Sequence, residues 1–235
     1  APVAELLRAR GGHLWWVFGA PGSDLVTVVG DRGRVMRLHD DHGSIVSDES
    51  VTEATLYGVW GASDEVLWAV GGYVFPRVGP PTIVKITAAG SEVVALPAGL
   101  PESGTFFKVW GAAADDVWVV GEKGMALHFD GATWTNESIA SAPRLVTING
   151  RGQDVVAVGG VGEGVLFEGT TFVERALGGV SPLNGVVVGD GGEAWAVGML
   201  NQVLHRTNGT WDAVATGLPV RDWHAVWVDP RGDVW

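Results

Sequence analysis

Any chemistry in this sequence must come from oxygen and nitrogen side chains, because the chain contains no cysteine. Thiolate nucleophiles, thiolate metal sites and disulfides are thereby excluded. The densest group of candidate ligands is His39-Asp40-Asp41-His42, two imidazoles and two carboxylates in succession. Neighbours along a strand point to opposite faces, which works against convergent ligation. The same histidine place also recurs at His128 and His205, just before a turn, so His39 reads as a blade-edge residue and no metal site is expected. The paired carboxylates Asp40-Asp41 and Asp115-Asp116 fall in turns, where Asp is favoured for backbone reasons. Gly159-Gly160-Val161-Gly162-Glu163-Gly164 opens no helix and so makes no phosphate cradle. Arg231-Gly232-Asp233 spells an adhesion tripeptide, but it occupies the same turn as Ala114-Asp115-Asp116 and Gly152-Gln153-Asp154. Asn136-Glu137-Ser138 and Asn208-Gly209-Thr210 fit the N-glycosylation pattern, which matters only in a secreted eukaryotic protein. The candidates that survive are three cations, Arg32, Arg77 and Lys123.

These cations are placed by a repeat. Val-Gly closes a short apolar strand at Gly30, Gly71, Gly121, Gly159 and Gly198, and a second marker precedes each: Phe18-Gly19, Trp60-Gly61, Trp110-Gly111, Asn149-Gly150 and Val188-Gly189. A period near forty residues, built from short strands, is the signature of a propeller blade. The third copy is the cleanest. Phe106 to Gly111 forms a first strand, Val117 to Gly121 a second, Met125 to Phe129 a third, and Thr133-Trp134-Thr135 begins the fourth after an Asp130-Gly131 hairpin turn. The second copy adds residues around Phe75–Pro81, whose prolines exclude a paired central strand and mark an enlarged loop. A sixth copy starts at Ala225-Val226-Trp227 and Asp233-Val234-Trp235, and the chain stops before it is complete.

The expected fold is therefore all-β: a β-propeller of four-stranded antiparallel blades, about five complete and a truncated sixth. The repeats span approximately 13–50, 51–99, 104–141, 142–177, 182–216 and 222–235. Residues 1–12 are either a ring-closing strand or the tail of a preceding blade. Trp60, Trp110 and Trp227 share one repeat position, and Trp68, Trp118, Trp195 and Trp235 another, which is the pattern of inter-blade packing. The recurrent glycines are expected to permit positive φ at strand ends. Loops between second and third strands, together with the inter-blade connections, emerge on one face. That face displays Arg32, Arg77 and Lys123 around the channel mouth. The ordinary alternative for each is solvated loop charge.

Composition narrows the partners. A formal charge of -12 supplies no basic surface for nucleic acid or anionic lipid. No apolar run has the length of a membrane helix. The start, Ala1-Pro2-Val3-Ala4-Glu5, lacks the layout of a signal peptide: either a leader has been removed or the chain begins inside a longer protein.

The run Val109-Trp110-Gly111, Asp116-Val117-Trp118-Val119-Val120-Gly121, Gly124 and Asp130-Gly131-Ala132-Thr133-Trp134 resembles a tandem repeat of bacterial cell-envelope β-propellers, relatives in pattern of the BNR/Asp-box and kelch-like propellers. The Asp130–Trp134 turn is shorter than a full Asp-box. The resemblance implies a non-enzymatic scaffold, extracellular or in the cell envelope, that binds a protein or glycan at the loop face. It implies no cofactor, and a monomer when the ring is complete. The alternative is a sialidase-like glycoside hydrolase or the accessory propeller of a larger enzyme. That chemistry needs an arginine cluster and a tyrosine nucleophile. Only Tyr57 and Tyr73 exist, and Tyr57, on an inner strand, has no arginine set beside it. A third implication, from related photosystem-assembly propellers, is an assembly chaperone.

Overall fold

The computed structural model describes residues 12–39, 44–73, 76–140, 143–229 and 231–235. Its strands form five separate four-stranded antiparallel sheets, and the fold is a β-propeller with each sheet as a blade. Blade 1 comprises β1 (Leu14–Gly19), β2 (Leu25–Gly30), β3 (Arg34–His39) and β4 (Ile45–Ser50). Blade 2 comprises β5 (Thr55–Trp60), β6 (Leu67–Gly72), β7 (Thr82–Thr87) and β8 (Gly90–Val93). Blade 3 holds β9 (Phe106–Ala113), β10 (Asp116–Gly121), β11 (Ala126–Phe129) and β12 (Trp134–Asn136). Blade 4 holds β13 (Leu145–Arg151), β14 (Asp154–Val161), β15 (Glu163–Glu168) and β16 (Val173–Glu174). Blade 5 holds β17 (Leu183–Val188), β18 (Ala194–Gly198), β19 (Val203–Thr207) and β20 (Thr210–Ala213). In every sheet the strands lie in chain order, so each blade is a meander of hairpins.

The chain divides into two compact units. One holds the residues up to Val119 together with His128–Asn136; the other holds Val120–Leu127 and Glu137–Trp235. In the first unit Val29 and Val35 of blade 1 pack on Leu56, Val59, Leu67, Ala69, Val84 and Ile86 of blade 2. In the second, Val156, Val158 and Leu166 of blade 4 pack on Leu183, Val186, Ala194, Ala196 and Leu204 of blade 5. Trp68, Val70 and Ile83, which alternate with Leu67, Ala69 and Val84 along β6 and β7, are buried as well, so a blade's two faces are both apolar. That is why β6 and β14 read as near-continuous hydrophobic runs instead of alternating ones.

The register explains the Val-Gly marker, and differently from the expectation. None of the five marker glycines has positive φ. Instead, Gly30 pairs with Leu14, Gly71 with Leu56, Gly159 with Leu145 and Gly198 with Leu183, and one residue beyond each partner the first strand bulges. The bulge presses the preceding carbonyl against the glycine. A Cβ would stand 2.3 Å from the His13 oxygen at Gly30, 1.9 Å from that of Thr55 at Gly71, 2.1 Å from that of Arg144 at Gly159 and 2.1 Å from that of Pro182 at Gly198. The glycines are kept for close approach, not for a left-handed turn.

Two finer sequence correspondences also shift. Gly150 pairs with Val155 and Val188 pairs with Ala194, so Val188, not Gly189, is the fifth counterpart of Gly150. His39 pairs with Leu25, whereas His205 pairs with Trp195, three residues before its marker glycine. The counterparts of His205 in blades 1 and 2 are therefore Arg37, opposite Thr27, and Lys85, opposite Trp68. The packing role expected of the recurrent tryptophans is visible at Trp68, Trp110 and Trp118, which are buried. At Trp227 and Trp235 it is not: the two exchange backbone hydrogen bonds and both side chains are exposed. Ala225 approaches Gly185 as Lys108 approaches Gly58, so this segment lies against blade 5 at the place of a further first strand, without forming a strand there. Among the described residues, no helix is long and apolar enough to cross a membrane.

Candidate functional site

The bulge that crowds the glycine also turns one side chain per blade out of the ladder. In blades 1 and 2 that residue is Trp15 and Tyr57, between Leu14 and Trp16 and between Leu56 and Gly58. Phe107 holds the same phase in β9. The three rings form a row across β1, β5 and β9, with centroids 5.2 Å apart for Trp15 and Tyr57 and 6.1 Å apart for Tyr57 and Phe107. Such tilted and edge-on pairs are favoured ring geometries. Trp15 is 48% exposed and its neighbour Trp16 is 41% exposed, unusual values for the largest apolar side chain. Leu14, Trp15, Trp16, Val17 and Val28 line a groove of about 400 Å³.

The row is fixed at one end by Asp31, which follows the Val-Gly marker of blade 1. Its carboxylate accepts the Trp15 indole N–H at 2.7 Å and the His13 backbone N–H at 2.8 Å. Burial opposes ionisation of Asp31, but these hydrogen bonds outweigh it and hold its carboxyl below the usual range.

One residue further along each first strand stand Trp16, Gly58 and Lys108. Because Gly58 carries no side chain, the Lys108 stem crosses blade 2 and sets its ammonium 3.0 Å from the centre of the Trp16 ring. Among the described residues, no carboxylate lies within ion-pair reach of it. Desolvation pulls the amine down to about 7, while the attraction of the ring face pulls the other way. A lysine depressed below its unfolded value favours the unfolded chain as pH falls from 10.5 towards 7. Lys108→Met is accordingly expected to raise stability at neutral pH by about 2 kcal/mol. It should also flatten the rise of stability between pH 7 and pH 10.5, as read by chemical denaturation across that range.

The loop cations sit elsewhere. Arg32 occupies the left-handed region (φ 55°) in the short turn after β2, and its carbonyl accepts the Ser50 hydroxyl. Arg77 is exposed and bound to Glu53, with 3.2 Å to its carbonyl oxygen and 3.6 Å to its carboxylate. Among the described residues nothing links Arg32 to Arg77. Lys123 also has φ 55°, in the turn between β10 and β11, and donates its backbone N–H to Pro143. Of the His39–His42 tetrad, Asp40, Asp41 and His42 lie outside the described residues, and His39 meets Asp24 at 3.2 Å. Asp229 accepts the backbone N–H groups of Arg231 and Asp233 and pairs with the Arg231 guanidinium, so the Arg-Gly-Asp segment is tied to its own turn.

Two clusters went unread in the sequence. Asp116, which opens β10, accepts the Trp118 indole N–H and meets His128 Nε2, both at 2.9 Å, while His128 stacks on Trp118. In blade 5 His205 likewise meets a carboxylate, Glu193, at 2.7 Å and stacks on Trp195. The aromatic row was missed as well, although its signal was present. Two successive tryptophans in a half-exposed strand cannot both face the core without a bulge, and the repeat phase aligns Trp15, Tyr57 and Phe107.

No family model matches the sequence, and no curated protein matches it. Among solved structures the chain is similar to one described as YCF48 bound to D1 peptide. The TM-score is 0.63 at 14% identity, covering 86% of this chain and 67% of that one. At that identity the likeness concerns the fold, and it places the five sheets of this chain in a β-propeller.

Proposed function

We propose that this chain is a non-catalytic propeller that binds a segment of a partner protein along the first-strand row. The observation that carries the reading is the aromatic row itself, exposed at Trp15 and half-buried at Tyr57 and Phe107, with the exposed Trp16 and Lys108 beside it. Exposed tryptophans seated on rigid strands are the side chains that dominate protein recognition, because large area is buried at little entropic cost. Lys108, without an acid partner among the described residues, favours a segment in which an acidic side chain stands beside apolar ones. The similar structure that carries a peptide supports this use of the fold. An extracellular or envelope setting, and participation of Arg32, Arg77 and Lys123 at the loop face, belong to the same proposal.

The test is an array of short random peptides probed with the full chain, followed by titration of the strongest binders. Acidic and aromatic sequences are expected to bind, and Trp16→Ala should weaken them at least about tenfold. Binders indifferent to Trp15, Trp16 and Lys108, or binding confined to a glycan array, would overturn the reading.

A further inference from the structure

The contacts between blades 4 and 5 and between blades 2 and 3 are two versions of one arrangement, and only the first is complete. In the second unit the fourth-strand Trp211 donates its indole N–H to Glu168 of blade 4 at 2.9 Å. Arg206 donates to the same Glu168 oxygen at 2.6 Å. Glu168 pairs with Val156, three residues before Gly159. In the first unit the residue at that register is Lys85, which pairs with Trp68, three residues before Gly71. The fourth-strand tryptophan of the following blade is Trp134. Phe129 stands where Arg206 does, at the same distance past the marker (121 to 129, 198 to 206).

The exchange puts a donor, Lys85, where Glu168 accepts from Trp211 in the second unit. Lysine can only donate, as can the indole N–H. The Trp134 Nε1 is buried and has no hydrogen-bond partner among the described residues. Beside it lies a cavity of 640 Å³ whose wall includes Trp68, Lys85, Glu92, Phe129 and Trp134. Three of those are aromatic and meet one another, Trp68 and Phe129 at 4.9 Å, Trp68 and Trp134 at 5.2 Å, and Phe129 and Trp134 at 5.1 Å. Lys85 and Glu92 face each other across β7 and β8, yet no ion pair joins them among the described residues.

The geometry points to a binding site for a carboxylate carried on a flat apolar group. The Lys85 ammonium and the Trp134 indole N–H hold the carboxylate, and Trp68 and Phe129 wall the apolar part. The ligand supplies here what Glu168 supplies in the second unit. This site is separate from the first-strand row and does not depend on the reading given to that row. Both a free small aromatic acid and the C-terminal residue of a protein present this chemistry.

The test follows the indole proton of Trp134 in the full-length ¹⁵N-labelled chain, assigned by its loss in Trp134→Phe. The probes are 3-phenylpropionate, a short peptide ending in phenylalanine, and the same peptide as its C-terminal amide. Saturable downfield movement with the two carboxylates and none with the amide is expected. Lys85→Met should weaken binding by about tenfold, the worth of one charge-assisted hydrogen bond. Lys85→Glu, which rebuilds the Glu168 arrangement, should move the indole proton downfield without any probe and abolish binding. Tighter binding of the peptide than of phenylpropionate identifies a protein C-terminus as the source; the reverse order identifies a free acid. Equal binding of the amide, or an affinity unchanged in Lys85→Met, would overturn the proposal. So would an indole proton already hydrogen-bonded without probe and released in Glu92→Gln, since Glu92 would then be the acceptor.

Discussion

Gly159→Ala is expected to destabilise the chain by about 2–4 kcal/mol, more than any exposed substitution, although it adds a single methyl group. The added carbon would lie 2.1 Å from the Arg144 carbonyl oxygen and 3.0 Å from the Leu145 Cα, and both are backbone atoms. No side-chain rotation relieves that contact. The first strand must move off the second, and the bulge at Val146 must open. Gly162→Ala is the control, since a Cβ there meets nothing within 4 Å and the cost is only that of a left-handed backbone. If positive φ were the reason for the repeated glycine, Gly162→Ala would be the more damaging of the two. Thermal or urea unfolding of the pair separates the explanations directly.

The second large effect is expected at Arg206. Its buried guanidinium contacts Glu168 at 2.6 Å and Asp154 at 2.5 Å, and donates to the Gly192 carbonyl at 3.0 Å. Arg206→Met removes the central cation and leaves a buried carboxylate with Arg175 and Trp211 as its remaining donors. About 3 kcal/mol of destabilisation is expected, since breaking one side of a buried pair strands the other charge. The double variant Arg206→Met, Glu168→Met should recover most of it, so the two substitutions are strongly non-additive. Burial works against ionisation of Glu168, but hydrogen bonds from Arg206, Trp211 and Arg175 outweigh it and lower its pKa from 4.5. A carboxyl depressed in the folded chain contributes stability that is complete above the unfolded value and is lost as pH falls through the folded one. The wild-type chain should thus lose stability below pH 4.5 more steeply than the double variant.

These two sites mark different depths of legibility. The Val-Gly period fixed the number and phase of the blades, because a repeated sequence must bury the same faces in each copy. It did not disclose why glycine recurs. The contact that forbids a side chain is made by the carbonyl of a residue some fifteen positions away, and only the bulged register brings it there. The same register moved Lys85 and Arg37 into the place expected for His39. A shift of two residues keeps the side chain on the same face of the strand, so the hydrophobic pattern gave no warning of it.

The sequence by itself determined the class of fold, the blade count and the absence of thiol chemistry. Each follows from composition or from a period, and none depends on where distant residues meet. The tertiary structure alone decided the sites. Lys108 reaches Trp16 because Gly58 leaves the intervening blade bare, and among the described residues Trp134 lacks an acceptor because Lys85 stands where another blade has Glu168. Both depend on pairing residues from separate repeats, where the differences among near-identical copies, rather than their likeness, set the chemistry.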